Sequence, residues 1–223
     1  MRIFQKADGT VNVSAREYDI AANTAIKIGQ VVKLVAGLIV AATATETGAI
    51  IGIAAEDHKG AADALNPRAN GTKILVHDCP DAIFACKAPV VTATGGSATT
   101  MTTDDLGAYS ADDFNGGYAK LIKKGTGSTN TDPIGKVKRI TDYAYTSTGT
   151  VSTFTFESGA TACEGDEYEI FPPIGLAKGA LDTGITHFVL SGVTAVCLRV
   201  VGRDEDRDEI HLLAAKHTLA NNV

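Results

Sequence analysis

The groups best suited to chemistry in this 223-residue chain are five histidines, four cysteines and 26 carboxylates, and their spacing does not assemble them. His77-Asp78-Cys79 sets three possible ligands side by side, but neighbours on a strand point to opposite faces and do not converge. A zinc site needs pairs at spacings such as C-x2-C or H-x3-H. Cys79 and Cys86 are seven apart, with no paired His or Cys at a matching offset. His211 and His217 lie six apart on the last strand-like run and its exit, a pattern of surface or core-edge histidines. Gly125-Thr126-Gly127 imitates a phosphate loop without joining an apolar strand to a helix, so it reads as a loop tip. Asp104-Asp105 and Asp112-Asp113 read as helix-end residues; a glycosidase pair would need only two acids ~5–10 Å apart in space, and nothing in the spacing supports one. G-x-S-x-G, G-x-x-x-x-G-K-[ST] and H-E-x-x-H are absent. The sequence therefore assigns no catalytic residue, no cofactor and no metal ligand, and the expectation is a protein that is not an enzyme.

Composition narrows the remaining classes. The chain is 44% hydrophobic and 21% charged, enough apolar material for one large or two small cores. Thr and Val enrichment with 23 glycines favours strands and turns. A net charge of −6 argues against nucleic acid and anionic membrane surfaces as partners, since both are bound by neutralising phosphates. No apolar run reaches the ~18 residues of a membrane helix; Val31–Ala42 comes nearest and is interrupted by Lys33 and Gly37. MRIFQKADG has no apolar signal-peptide region, so folding in a reducing cytoplasm with four buried thiols (Cys79, Cys86, Cys163, Cys197) is expected.

The element that organises the chain is Ala21–Asp57. Ile26, Ile28, Val32 and Leu34 fall on one parity and Lys27 and Lys33 on the other, the alternation of a half-buried strand. Gly37 and Gly48 separate this run from LIVAA and AIIGIAAED, predicting an antiparallel meander. Asp8-Gly9 and TVNVS read as a turn and a brief strand, and His58–Gly71 as a polar loop. TKILVH and AIFACK read as a hairpin across Asp78-Cys79-Pro80-Asp81. A capping box at Thr102 and Asp105 predicts a short helix from about Thr103 to Phe114. Ile134–Phe171 returns to strand texture, turning at Ser147-Thr148-Gly149, with Ser152, Phe154 and Phe156 on one face of TVSTFTF. A helical turn is expected in Ile174–Thr183, then three strands. The seven consecutive charges of Arg203–Glu209 read as the solvated tip of a hairpin. LRVVG and IHLLAA are too apolar for exposed edges and are expected to pair with the meander. The fold expected is all-β, barrel- or sandwich-like. Residues 1–88 and 186–223 would form one lobe, residues 89–185 an inserted β-rich lobe, with at most one or two short helices.

Several stretches, taken in order, resemble the head-decoration (cement) proteins of tailed bacteriophages. These are IKIGQVVKLVAGLIVAAT with AIIGIAAED, ILVHDCPDAIFACK, and GLAKGALD followed by LRVVGRDEDRDEIHLLAAKHTLAN. They span Ile26–Lys87 and Gly175–Asn222. GATACEGDEYEIFPP is similar to strands of other phage structural proteins. The resemblance implies a non-enzymatic protein on the outside of an icosahedral virion capsid, made in the host cytoplasm. Its partners would be the major capsid protein and itself, as a homotrimer. Arg2, Ile3, Phe4 and Tyr18 are the expected capsid-interface residues, on an N-terminal arm that adds to a neighbour's sheet edge. The alternative is a β-structured tail or fibre module recognising the host surface, with loops of Val90–Asp132 as the recognition elements. A hydrolase drawing carboxylates from distant loops is the third class.

Overall fold

In a computed structural model the described residues are all except 7–8, 10–13, 22–23, 60–71, 147–150, 160–161, 182–187, 191–197, 216–217 and 219–223. They contain strands and no helix. The first part of the chain holds β1 (Arg2–Lys6), β2 (Arg16–Asp19), β3 (Val31–Val35), β4 (Leu38–Ala41), β5 (Gly52–Ala54), β6 (Lys73–His77) and β7 (Ala82–Lys87). The middle holds β8 (Val90–Thr92), β9 (Gly95–Gly96), β10 (Thr100–Thr103), β11 (Tyr118–Lys123), β12 (Val137–Thr146), β13 (Val151–Phe156) and β14 (Glu167–Phe171). The end holds β15 (Ala180–Leu181), β16 (Phe188–Val189), β17 (Leu198–Asp204) and β18 (Glu209–Ala214).

Five strands in the order β2-β6-β5-β3-β4 form a sheet that a parallel bridge between Ile20 and Ile39 closes into a small barrel. Ile20, Ile26, Val32, Ile39, Ile51, Ala54, Ile74 and Val76 fill it. β-branched residues suit this interior because they pack well on a pleated, curved surface. The expected meander is present as strands but not as an order. β5 pairs with β3 on the side opposite β4, because Gly52 lets its backbone approach β6: a Cβ there would lie 1.8 Å from the His77 carbonyl oxygen. Val31 and Ile53, on the barrel's outer face, join a second and larger core.

The expected hairpin between TKILVH and AIFACK does not form. The turn at residues 78–81 carries the chain out of the barrel, and β7 enters a different, four-stranded sheet ordered β1-β7-β18-β17. The C-terminal strands therefore pair with β7 rather than with the meander, in the register Phe84↔Leu212 and Cys86↔Ile210. Phe84, Leu198, Val200, Ile210 and Leu212 line its buried face.

The middle strands make a second closed sheet, β8-β14-β11-β12-β13-β10-β9. Residues 90–96 supply both of its ends. They pair with β14 as β8 and with β10 as β9, and between them the Ala93 amide donates to Asp166 O and the Thr94 amide to Thr102 O, each at 2.8 Å. Ser152, Phe154 and Phe156 all point inward, as their alternation predicts. Tyr109, Phe114, Tyr143 and Phe154 make an aromatic cluster inside. The helix expected near Thr103–Phe114 is absent. Thr100–Thr103 is strand β10, and the Asp105 carboxylate accepts from the Thr92 amide at 2.6 Å instead of capping a helix. Gly175 and Leu176 lie against β17, and Ala180–Leu181 is β15, so Ile174–Leu181 contains no helical turn. The β15–β16 pair spans the expected boundary at residue 185. Residues 10–13 of TVNVS and the Ser147–Gly149 turn lie outside the described residues.

Candidate functional site: an open sheet edge

Among the described residues the side chains singled out for chemistry lie apart, several of them in structural roles. Asp78 is buried and accepts from the Tyr18 hydroxyl, with the Arg16 guanidinium at 3.6 Å, while His77 and Cys79 do not join it. Cys79, Cys86 and Cys163 form no disulfide with one another; of the three only Cys86 is buried, so the expectation of uniformly buried thiols fails for the other two. Cys197 and His217 lie outside the described residues. Asp113 caps the Ser110 amide at 2.8 Å and holds Lys178 at 2.7 Å. Gly125 is anchored through its amide to Asp166 Oδ1 at 2.9 Å, which ties the start of the 125–132 loop to the turn before β14. Among the described residues no group of three or more His, Cys, Asp and Glu is arranged to hold a metal ion.

What stands open is backbone. Both barrels close on themselves, so among the described residues the four-stranded sheet contributes the major uncovered edges. The outer side of β17 is partly covered: the Gly175 amide donates to Val200 O at 2.8 Å and the Val200 amide to Leu176 O at 2.9 Å. On the other side, no described residue bonds the backbone of Arg2–Gln5 except β7. An uncovered strand edge is a row of donors and acceptors that fits another extended chain.

Three of the expected interface residues lie on this edge. The structure folds them back on their own chain, not out as an arm. Ile3 packs against the large core. Phe4 stacks on His211 with ring centroids 4.0 Å apart, and Arg2 pairs with Glu209 at 2.5 Å. A register shift between Ile3 and Gln5 marks a bulge at Phe4. The Met1 amino group donates to Gly29 O at 3.2 Å, fixing the start of the strand to the first barrel. Tyr18 is elsewhere, on β2. Burial and its hydrogen bond to Asp78 push its hydroxyl pKa up to about 12, so it is a neutral donor locking the barrel's rim.

Beside the β1 edge runs a groove of about 310 Å³ lined by Met1, Ile3, Ile28, Ile53, Ala55 and His77. The His77 Nδ1 is buried without a hydrogen-bond partner. Ile28, 61% exposed, stands at the groove. Sequence parity put Ile28 in the core with Ile26 and Val32. Gly29, at φ +80°, turns the chain immediately afterwards and breaks that parity, and a glycine next to the residue was the available signal. The site thus combines a strand edge that no described residue pairs and an exposed aliphatic anchor, and the His77 ring stands in its wall. It can hold an extended peptide and offers no nucleophile–base pair.

No protein family model matches the chain, and neither a curated protein nor a solved structure matches it.

Proposed function

We propose that this chain is a non-enzymatic structural protein of a phage virion that binds the outside of the icosahedral shell and stabilises it. The observation that carries the reading is the β1 edge, uncovered among the described residues, beside the Ile28 groove on a body whose other large sheets are closed. Its occupant is an extended segment of the major capsid protein, adding as a strand to Arg2–Gln5 and placing an apolar side chain against Ile28. This revises how the N-terminal residues act: β1 receives a strand rather than reaching out as an arm. Many symmetric copies, each weakly bound, sum to a strong clamp through multivalency. A closed cyclic homotrimer suits the three-fold and quasi-three-fold positions of such a shell.

Purified protein is expected to sediment as a trimer, to add to preformed shells that lack it and to raise their disruption temperature. Ile28→Asp tests the groove. The side chain is largely exposed, so the fold is unaffected, whereas losing an aliphatic anchor of about 1.5–3 kcal/mol weakens each contact about ten- to a hundredfold. A variant that decorates shells as well as the parent overturns the groove assignment. Antibody labelling on the tail instead of the head would favour host recognition.

A further inference from the structure

The run Arg203–Glu209 is a hairpin turn, as its charges suggest, but it is not simply solvated. It lies on the second barrel. Arg203 stacks on the Tyr118 ring at 4.0 Å and donates to Gly116 O at 3.3 Å. Lys120 reaches from β11 to Glu205 O at 2.8 Å and to the Asp208 carboxylate. Lys87 donates to Arg207 O at 2.8 Å, and the Ala88 amide to Asp208 O at 2.9 Å. Asp208 holds a left-handed conformation, φ +57°, at the point where the turn meets the barrel.

Beneath this contact sits Glu169 of β14, directly opposite Lys120 across the β11–β14 ladder. Glu169 is only 8% exposed, and its Oε2 has no hydrogen-bond donor. Lys120 passes it to pair with Asp208. A buried carboxylate oxygen without a donor is costly, and the neighbouring group is another carboxylate, Asp208. One arrangement satisfies both: Glu169 keeps its proton and donates it to Asp208, while Lys120 neutralises the charge that remains.

We propose that the β17–β18 hairpin is latched to the second barrel by a proton shared between Glu169 and Asp208, so that its docking responds to pH. The electrostatics agree in direction. Burial first, then the Asp208 charge, push the Glu169 carboxyl from an ordinary 4.5 up to about 7. The hydrogen bond from Lys120 holds Asp208 below the usual carboxylate range. Lys87 on β7 acts on both carboxylates, and Asp206 in the turn acts on Lys120. A docked Glu169 that binds its proton more tightly than an undocked one gives a latch fully closed below about pH 4.5 as far as Glu169 is concerned. The latch weakens as pH rises and levels off above about 7. Asp208 acts in the opposite sense and only in stronger acid. His211 on β18 also opposes, because burial lowers its pKa and charging it in acid disturbs the Phe4 stack.

The test is amide hydrogen exchange of residues 203–209 in the full chain between about pH 5 and 7.5, corrected for the intrinsic rate. Hairpin protection is expected to fall by up to about tenfold per pH unit up to about pH 7, while amides of the first barrel around Val32 and Ile74 do not follow. Glu169→Gln supplies a permanent donor to Asp208 and should flatten the profile. Because His211 contributes the same opposing slope to both proteins, the difference between parent and variant is the readout: equal slopes in the two, or a first barrel that follows the hairpin, would each overturn the latch. Should the variant not fold, carbon-13 NMR of glutamate-labelled parent decides: a carboxyl titrating near 7 supports the shared proton, and none above about 6 refutes it. Because β18 carries the partners of Arg2 and Phe4, latch opening would also loosen the docking edge. That consequence rests on the proposed shell-binding role, but the exchange experiment needs no shell, so the two can fail separately.

Discussion

Replacing Asp166 by Ala is expected to lower stability by about 3–5 kcal/mol, among the largest effects of any single polar substitution in this protein. Asp166 is fully buried, and its carboxylate gathers three donors: the Gly125 amide at 2.9 Å, Asn130 Nδ2 at 2.8 Å and the Cys163 amide at 3.1 Å. Asn130 in turn donates to the Tyr168 hydroxyl at 2.9 Å. These bonds tie the 125–132 loop to the 162–166 turn and through Tyr168 to the barrel interior. Alanine would leave three donors without acceptors in a space closed to bulk water. Asp166→Asn keeps the shape and loses the charge, so about half that cost is expected. Burial alone would raise the carboxyl's pKa, yet the Asn130 amide and the backbone donors together hold it below the usual 3.8. Its contribution is therefore complete above about pH 4 and is lost as pH falls through the folded value. Chemical denaturation of parent and Asn variant should show this as a shallower acid limb in the variant. Identical acid limbs would mean that Asp166 is not ionised in the fold.

Phe114→Ala is expected to cost about 3–5 kcal/mol by deleting the centre of the aromatic cluster. The ring is 0% exposed, with centroids 4.7 Å from Tyr143, 4.9 Å from Tyr109 and 5.2 Å from Phe154. Phe114 belongs to the turn before β11, not to a strand, so its ring joins that turn to the β12 and β13 walls. Neighbours fixed by their own strands have little freedom to collapse into the space, and a cavity would remain. The Tyr143 hydroxyl, held to Ser152 Oγ at 2.8 Å, restricts relaxation further. Phe114→Leu fills most of the volume and should cost less than half as much. Urea unfolding monitored at equilibrium measures both, and a loss below about 1 kcal/mol for the alanine variant would show that the cluster is not the packing centre described.

Local alternation was legible wherever a strand has one wet and one dry face. TVSTFTF is the clearest case, with Phe154 and Phe156 inside as read. It fails where a residue's surroundings come from a distant segment. Parity assigns Lys33 to water, but Glu46, thirteen residues on and 6% exposed, takes its ammonium at 2.6 Å. Lys138 lies within the second barrel at 4% exposure because Asp132 and Ser158 O reach it. No periodicity reports that. Pairing was less legible than strand existence: β7 looks like the return of a hairpin, and only the tertiary structure puts it between β1 and β18. The candidate site followed the same division. Residue type points to Arg2, Ile3 and Phe4, but the edge that no described residue covers and the Ile28 groove arise from how β1 lies across β7 and the barrel. The charged turn misled for a related reason, since Asp208 looks solvated until β11 and β14 bring Lys120 and Glu169 beneath it.

Electron cryo-microscopy of shells incubated with the protein tests most directly whether it binds them through the β1 edge, as proposed. The expected map has density for the chain on the outer surface in symmetric, trimeric clusters, with an extended capsid-protein segment running beside Arg2–Gln5 and a side chain at Ile28. Shells that stay bare across several salt and expansion conditions would contradict the claim. So would density that meets the shell through another face and leaves the β1 edge free.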